Sequence, residues 1–70
     1  MVNLETPYSI GRDVLKAYRG TSVFYRGRFG LLFHDGNGVL QVGGENIERG
    51  EVICLPVEGS EVLYRPYNVL

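Results

Sequence analysis

The chain has 70 residues, a formal net charge of −1 and a hydrophobic fraction of 44%. A chain of this length builds one hydrophobic core, so we expect a single domain over residues 1–70. The hydrophobic fraction is near the globular average and argues against intrinsic disorder. With one cysteine and one histidine, the chain cannot form an internal disulfide or a structural zinc site made of Cys and His alone. We expect no metal and no cofactor.

The apolar runs of the chain are short. None approaches the ~20 residues that a membrane-spanning helix requires, and no charged start leads into an apolar run of the kind found in signal peptides. A single thiol is compatible with a reducing compartment. We therefore expect a cytoplasmic protein that does not contact a membrane.

The first predicted element is a helix from about Pro7 to Arg19. Thr6 is a suitable N-cap, Pro7 is favoured at the first helical position, and Gly20 is a typical C-terminal stop. Four apolar residues recur at helical spacing and are expected to form the buried face of this helix. They are Ile10, Val14, Ala17 and Tyr18.

After the helix the pattern becomes typical of β-strands, with β-branched and aromatic residues between glycine-containing turns. The strongest turn signal is the run Asp35-Gly36-Asn37-Gly38, because Asp-Gly and Asn-Gly favour positive φ angles. We expect residues 51–57 to be covered on both faces, because apolar side chains alternate to both sides. We also expect Pro66 to end the last strand. The predicted strands cover residues 21–26, 28–34, 39–42, 51–57 and 61–65.

These elements predict an α+β domain that is mostly β. About five short strands at close spacing favour a small antiparallel sheet or open barrel with meander topology. The N-terminal helix is expected to cover one face or one open end of it. The apolar tail that ends in Val69 and Leu70 makes a homodimer a further expectation.

Charge is distributed unevenly along the chain. Residues 1–34 hold five cations and two carboxylates, whereas residues 35–70 hold two cations and six carboxylates. An asymmetry of this kind can mark a binding surface. We predict such a surface on the basic half, with Tyr18 at its edge. Its residues are Arg12, Lys16, Arg19, Phe24, Arg26 and Arg28.

Two other interpretations of the basic half remain open. The two halves of the chain can lie against each other and neutralise part of their charge. The arginines can also be the solvent face of a strand whose core face holds Tyr25, Phe29 and Phe33. A binding role predicts that the double variant Arg26→Glu, Arg28→Glu keeps the fold and loses affinity for the partner.

No residues form a convincing catalytic constellation. Cys54 and His34 are the residue types of a nucleophile and its base, but Cys54 lies among apolar neighbours and is expected to be buried and inert. Four carboxylates near turns suggest an acidic rim. No two of them lie in an apolar setting that would separate their pKa values for acid–base chemistry. They are Glu48, Glu51, Glu58 and Glu61. We expect that the protein is not an enzyme.

The residues therefore favour a small macromolecule-binding module. Arg and Tyr are preferred anchors of protein interfaces, so the first hypothesis is a protein-interaction regulator or inhibitor with no catalysis of its own. The alternative is a small β-barrel that binds nucleic acid through its basic and aromatic N-terminal half. A sequence pI of 5.7 is far from the basic footprint of such proteins.

Overall fold

The structure is a computed structural model that describes residues 6–60 and 62–70. Within these residues, seven strands form one mixed sheet in the order β1-β7-β6-β2-β3-β4-β5. Neighbours are antiparallel except for the parallel pair β1–β7. The elements are β1 (Tyr8–Ile10), α1 (Arg12–Leu15) with a following 3₁₀ turn (Lys16–Tyr18), β2 (Ser22–Tyr25), β3 (Arg28–His34), β4 (Leu40–Val42), β5 (Glu45–Asn46), β6 (Val52–Pro56) and β7 (Tyr64–Val69).

The mostly β character is confirmed, but the predicted helix over residues 7–19 is wrong in its first half. That stretch contains β1, in which Ile10 lies opposite Val69 of β7. The helix begins only at Arg12, because Gly11 before it is extended, with φ −76° and ψ 152°. Short helices are marginal in water, whereas pairing with β7 buries Ile10 and leaves it 6% exposed.

The buried face of the helical segment also differs from the predicted one. Leu15 is fully buried, while Val14 is 58% exposed and Ala17 is exposed as well. Tyr18 packs against the core and is only partly buried. The predicted face assumed one regular helix from residue 7. The late start and the tighter 3₁₀ turn rotate a different side chain towards the sheet.

The last strand runs through Pro66 and does not end there. Leu55 and Arg65 are opposite each other in the β6–β7 register, as are Cys54 and Pro66. The ladder hydrogen bond from Val57 N–H to the Leu63 carbonyl makes the odd-numbered positions of β7 the hydrogen-bonded ones. Pro66 therefore occupies a position whose missing N–H costs no bond to β6. Val69 of the predicted apolar tail belongs to this strand and is buried within the domain, whereas Leu70 follows the strand and is 56% exposed.

The connection between β3 and β4 follows the predicted turn residues Asp35-Gly36-Asn37-Gly38. In the β3–β4 turn, the Asp35 carboxylate accepts hydrogen bonds from the N–H groups of Asn37 at 2.8 Å and Val39 at 2.9 Å. These two N–H groups, Val39 first, lower the pKa of Asp35. Only Gly38 in this turn has a positive φ. A second turn, through Gly43 and Gly44 with positive φ, leads from β4 into β5, a strand that was not predicted.

One face of the sheet is the core, and it differs from two sequence-based expectations. Phe29 and Phe33 are 62% and 53% exposed, which excludes the interpretation that they share a core face with Tyr25. Residues 51–57 were predicted to form a strand covered on both faces, but β6 is covered on one face only. On its other face, Val52 is 43% exposed and Cys54 is half-buried. The buried apolar core consists of Ile10, Leu15, Val23, Tyr25, Leu32, Leu40, Val42, Ile47, Ile53, Leu55 and Val69.

No helix in residues 6–60 or 62–70 combines the length and the hydropathy that crossing a bilayer requires.

Candidate functional site

Two of the predicted site residues, Arg26 and Arg28, lie at the β2–β3 turn and have carboxylate partners within the chain. Arg26 is 2.9 Å from Glu45 and 2.8 Å from Glu51. Arg28 forms an ion pair with Glu45. The basic and acidic halves of the chain therefore meet and partly neutralise each other at this turn.

The turn itself explains why the strand faces were predicted incorrectly. Tyr25 and Arg28 are directly opposite each other in the register, and the two residues between them have positive φ, 51° for Arg26 and 82° for Gly27. This is the backbone of a two-residue type I′ hairpin. The chain reverses here, so Phe24 lies opposite Phe29 and both lie on the face opposite to the core.

A buried hydroxyl connects this turn to the segment before β6. The Tyr25 hydroxyl donates to a carboxylate oxygen of Glu51 and lies 3.2 Å from the Asn46 carbonyl. The same carboxylate accepts the Glu48 N–H at 3.0 Å. The pKa of Glu51 is lowered, first by the hydrogen bond from Tyr25 and then by the Glu48 N–H and the nearby Arg26. Burial and, second, the Glu51 carboxylate raise the pKa of Tyr25 to about 12.

This raised pKa predicts a loss of stability in alkali. An unfolded tyrosine ionises near pH 10, while folded Tyr25 keeps its proton up to about pH 12. Between these values the native state binds more protons, so the free energy of unfolding falls as the pH rises, by about 1.4 kcal/mol per pH unit at most. Denaturant titrations at pH 9 and pH 11 measure this fall. Tyr25→Phe should reduce it. Equal slopes in the two proteins would contradict this role of Tyr25.

The other predicted cations are on the helical segment. Arg12 donates from Nη2 to the Ile47 carbonyl at 3.0 Å, which holds α1 against the segment after β5. Lys16 is half-buried and Arg19 is exposed. Arg12 thus has a bonding partner within the fold, and of these three residues Arg19 is the most open to solvent.

The ion pairs change what the double charge reversal would test. Arg26→Glu and Arg28→Glu would place two new carboxylates beside Glu45 and Glu51, in place of the ion pairs found there. Repulsion among four carboxylates is expected to weaken the turn. Loss of binding in that variant therefore would not separate a binding role from a structural one.

The sixth predicted residue, Phe24, belongs to a different surface, which we call the outer face. It consists of the alternate positions of β2, β3, β4, β6 and β7 whose side chains point away from the core. The strand register and the burial pattern identify these positions. None of these positions carries a charged side chain. They are Ser22, Phe24, Phe29, Leu31, Phe33, Gln41, Val52, Cys54, Pro56, Tyr64, Pro66 and Asn68.

The outer face is apolar and open at its centre. On β3 alone, Phe29, Leu31 and Phe33 are 62%, 48% and 53% exposed. Edge-to-face contacts join Phe29 to Phe24 at 4.9 Å and to Tyr64 at 5.3 Å between ring centroids. Single exposed apolar side chains are ordinary, whereas a contiguous exposed patch marks an interaction site.

Sequence reasoning missed this surface because both faces of β3 look apolar. Gly30 and Leu32 alternate with Phe29, Leu31 and Phe33, and periodicity alone does not say which set is buried. The available signal was the Arg26-Gly27 pair between two β-like runs. Treating it as a two-residue hairpin would have placed Phe29 opposite Phe24.

The sheet separates the two residues that could form a nucleophilic pair. Cys54 belongs to the outer face, opposite Phe24, whereas His34 shares the alternation of Leu32 and lies opposite buried Leu40. Partial burial raises the pKa of the Cys54 thiol, which disfavours the reactive thiolate. In the described ranges, no three His, Cys, Asp or Glu side chains are grouped as a metal site requires.

A groove of about 550 Å³ lies at the β6–β7 turn, beside the end of the helical segment. Tyr18 and Tyr67 contribute rings and hydroxyls to it, and Arg65 and Glu58 contribute charges of opposite sign. The Arg65 guanidinium lies 5.0 Å from the centroid of the Tyr8 ring. Among the described residues that line the groove, one is a cation and one is an anion, so we take the outer face as the more distinctive surface.

Comparison of the chain with protein-family models, with curated proteins and with solved structures gives no match. We therefore infer the function of the chain from the chemistry of the surfaces described above.

Proposed function

We propose that the chain is a protein-binding module and that the outer face is its contact surface. The observation that supports this most directly is the row of Phe29, Leu31 and Phe33 on one charge-free face, each about half exposed or more. Removing apolar surface from water contributes roughly 25 cal/mol per Å². The centres of protein interfaces are enriched in aromatic residues and depleted of charged ones.

A regulatory or inhibitory role, without catalysis by the chain itself, fits this surface best. Cys54 and His34 lie on opposite faces of the sheet, so they do not form a nucleophile–base pair. The exposed row on β3 is held by pairing with β2 and β4. Such a rigid, preformed surface is suited to occupying a site on a larger protein.

Nucleic-acid binding is the second candidate, and the exposed rings of the outer face favour it. Bases stack on aromatic side chains of sheet surfaces, but the backbone needs a cationic track beside them. Arg26 and Arg28 are engaged by Glu45 and Glu51, and no outer-face position is basic. We therefore rank this function below protein binding.

Site-specific photo-crosslinking in the cells that produce the chain tests the proposal. Phe33 on the outer face is replaced by p-benzoylphenylalanine, and Arg19 on the helical segment is replaced in a parallel experiment. We expect a discrete crosslinked protein from position 33 and none from position 19. The crosslink should be lost when Leu31→Ser is added and retained when Val14→Ser is added, because Val14 is exposed elsewhere.

Each other result has a defined meaning. A nuclease-sensitive crosslinked species would favour the nucleic-acid function. Crosslinks from position 19 alone would restore the predicted basic surface as the site. No crosslink from position 33, with the variant folded by circular dichroism, would overturn the proposal.

A further inference from the structure

We infer that the partner on the outer face is a second copy of this chain, packed sheet against sheet. This inference rests on the proposed function and names the partner of the same surface. It also moves the expected homodimer contact away from the C-terminal tail, because Val69 is buried within its own domain and Leu70 alone of the two tail residues is exposed.

The outer face is electrostatically compatible with a second copy of itself. The chain has 15 charged residues in 70, and none of them occupies an outer-face position. A partner with a charged contact patch would leave its charges desolvated and unpaired there, which is costly. A second outer face presents no such charges, so the two surfaces are electrostatically compatible.

The outer face of the sheet lacks a second layer packed against it in the part of the chain that the structure describes. A sheet with apolar side chains on both faces is stable when each face is covered by another layer. The helical segment contributes Leu15 to the core side, whereas no element among residues 6–60 and 62–70 covers Phe29, Leu31 or Phe33. Packing one outer face on another gives a two-sheet sandwich, with the sheets about 10 Å apart.

The exposed apolar area of the outer face indicates how strongly two copies would bind. An aromatic side chain presents roughly 150–250 Å², so the exposed parts of Phe29, Leu31, Phe33 and Val52 amount to about 400 Å². A standard interface buries about 800 Å² per partner. Half-buried neighbours such as Phe24 and Tyr64 extend the contact toward that value. An interface at the low end of the range is expected to give a micromolar dimer.

Sedimentation equilibrium of the wild-type chain from about 1 to about 500 µM brackets a micromolar Kd. We expect the average mass to rise from one chain toward two. The double variant Leu31→Ser, Phe33→Ser should weaken the dimer at least about tenfold. The control Val14→Ser removes a comparably exposed apolar side chain of α1, which lies outside the outer face, and should retain the wild-type Kd. Circular dichroism confirms that both variants are folded.

Cys54 provides an independent measurement on the unmodified chain. It lies within the outer face, opposite Phe24, so dimerisation shields the thiol. With reagent in large excess, its labelling rate should fall about fivefold or more between low and high protein concentration, because thiol reactions depend on access. The Leu31→Ser, Phe33→Ser variant should lose this dependence.

The results separate this inference from the proposed function. A wild-type chain that stays monomeric over the whole range, with a constant Cys54 labelling rate, overturns the second-copy inference. Equal weakening by the outer-face variant and the control also overturns it. A crosslink from position 33 to a different protein would then still support the protein-binding module, whereas no crosslink from position 33 would overturn both.

Discussion

Leu15→Ala should unfold a large fraction of the protein at physiological temperature. Leu15 is fully buried and belongs to the single core cluster. Replacing a buried leucine by alanine costs about 2–5 kcal/mol, from lost burial and the remaining cavity. A domain of this size rarely has more than about 3–5 kcal/mol of stability. Urea denaturation followed by circular dichroism should show a much lower midpoint.

Val14→Ala is the matched control for this prediction. It changes the adjacent residue of α1, whose side chain is 58% exposed, and exposed substitutions usually change stability by about 0.5 kcal/mol or less. The helical pattern of the sequence predicted Val14 on the buried face, so the pair distinguishes the two faces directly. A larger loss from Val14→Ala than from Leu15→Ala would contradict the orientation of α1.

Gly30→Ala is expected to destabilise the fold by about 1–3 kcal/mol, the usual cost of overpacking. Gly30 is in β3, on the core side, and a Cβ atom there would lie 2.8 Å from a methyl carbon of Val42. Val42 is 3% exposed and its branched side chain has little rotational freedom. The melting temperature should fall by roughly 4–8 °C per kcal/mol.

Two further variants identify the clash as the cause. Gly36→Ala serves as the control, because a Cβ atom at Gly36 meets nothing within 4 Å. In the double variant Gly30→Ala, Val42→Ala, the added methyl group occupies space vacated by the two methyl groups removed from Val42. Its loss of stability should be smaller than the sum of the single losses by at least about 0.5 kcal/mol. Additive losses would show that Gly30 is needed for a reason other than contact with Val42.

The sequence alone was sufficient to locate most strands. The predicted stretches 28–34, 39–42 and 51–57 correspond closely to β3, β4 and β6. Turn residues act locally, through backbone angles and short-range hydrogen bonds. The Asp35 carboxylate, for example, satisfies N–H groups two and four residues along the chain. Such features depend on few neighbours, so they can be predicted without the tertiary fold.

Tertiary structure decided which side chains are available for contact. The Arg26-Gly27 turn determines that Phe29 lies beside Phe24 on the outer face, and a shift of one residue would have exchanged the faces of β3. The ion pairs of Arg26 likewise join residues distant in the sequence.

The N-terminal segment shows the same distinction. Residues 8–10 carry a helical pattern, yet they form β1, because the parallel pairing with β7 brings Ile10 against Val69 at the other end of the chain. The sequence by itself determined the small β-rich domain and the place of its β3–β4 turn, since these follow from local preference and composition. The faces, the partners of the arginines and the first strand depend on contacts between distant residues, which only the folded chain brings together.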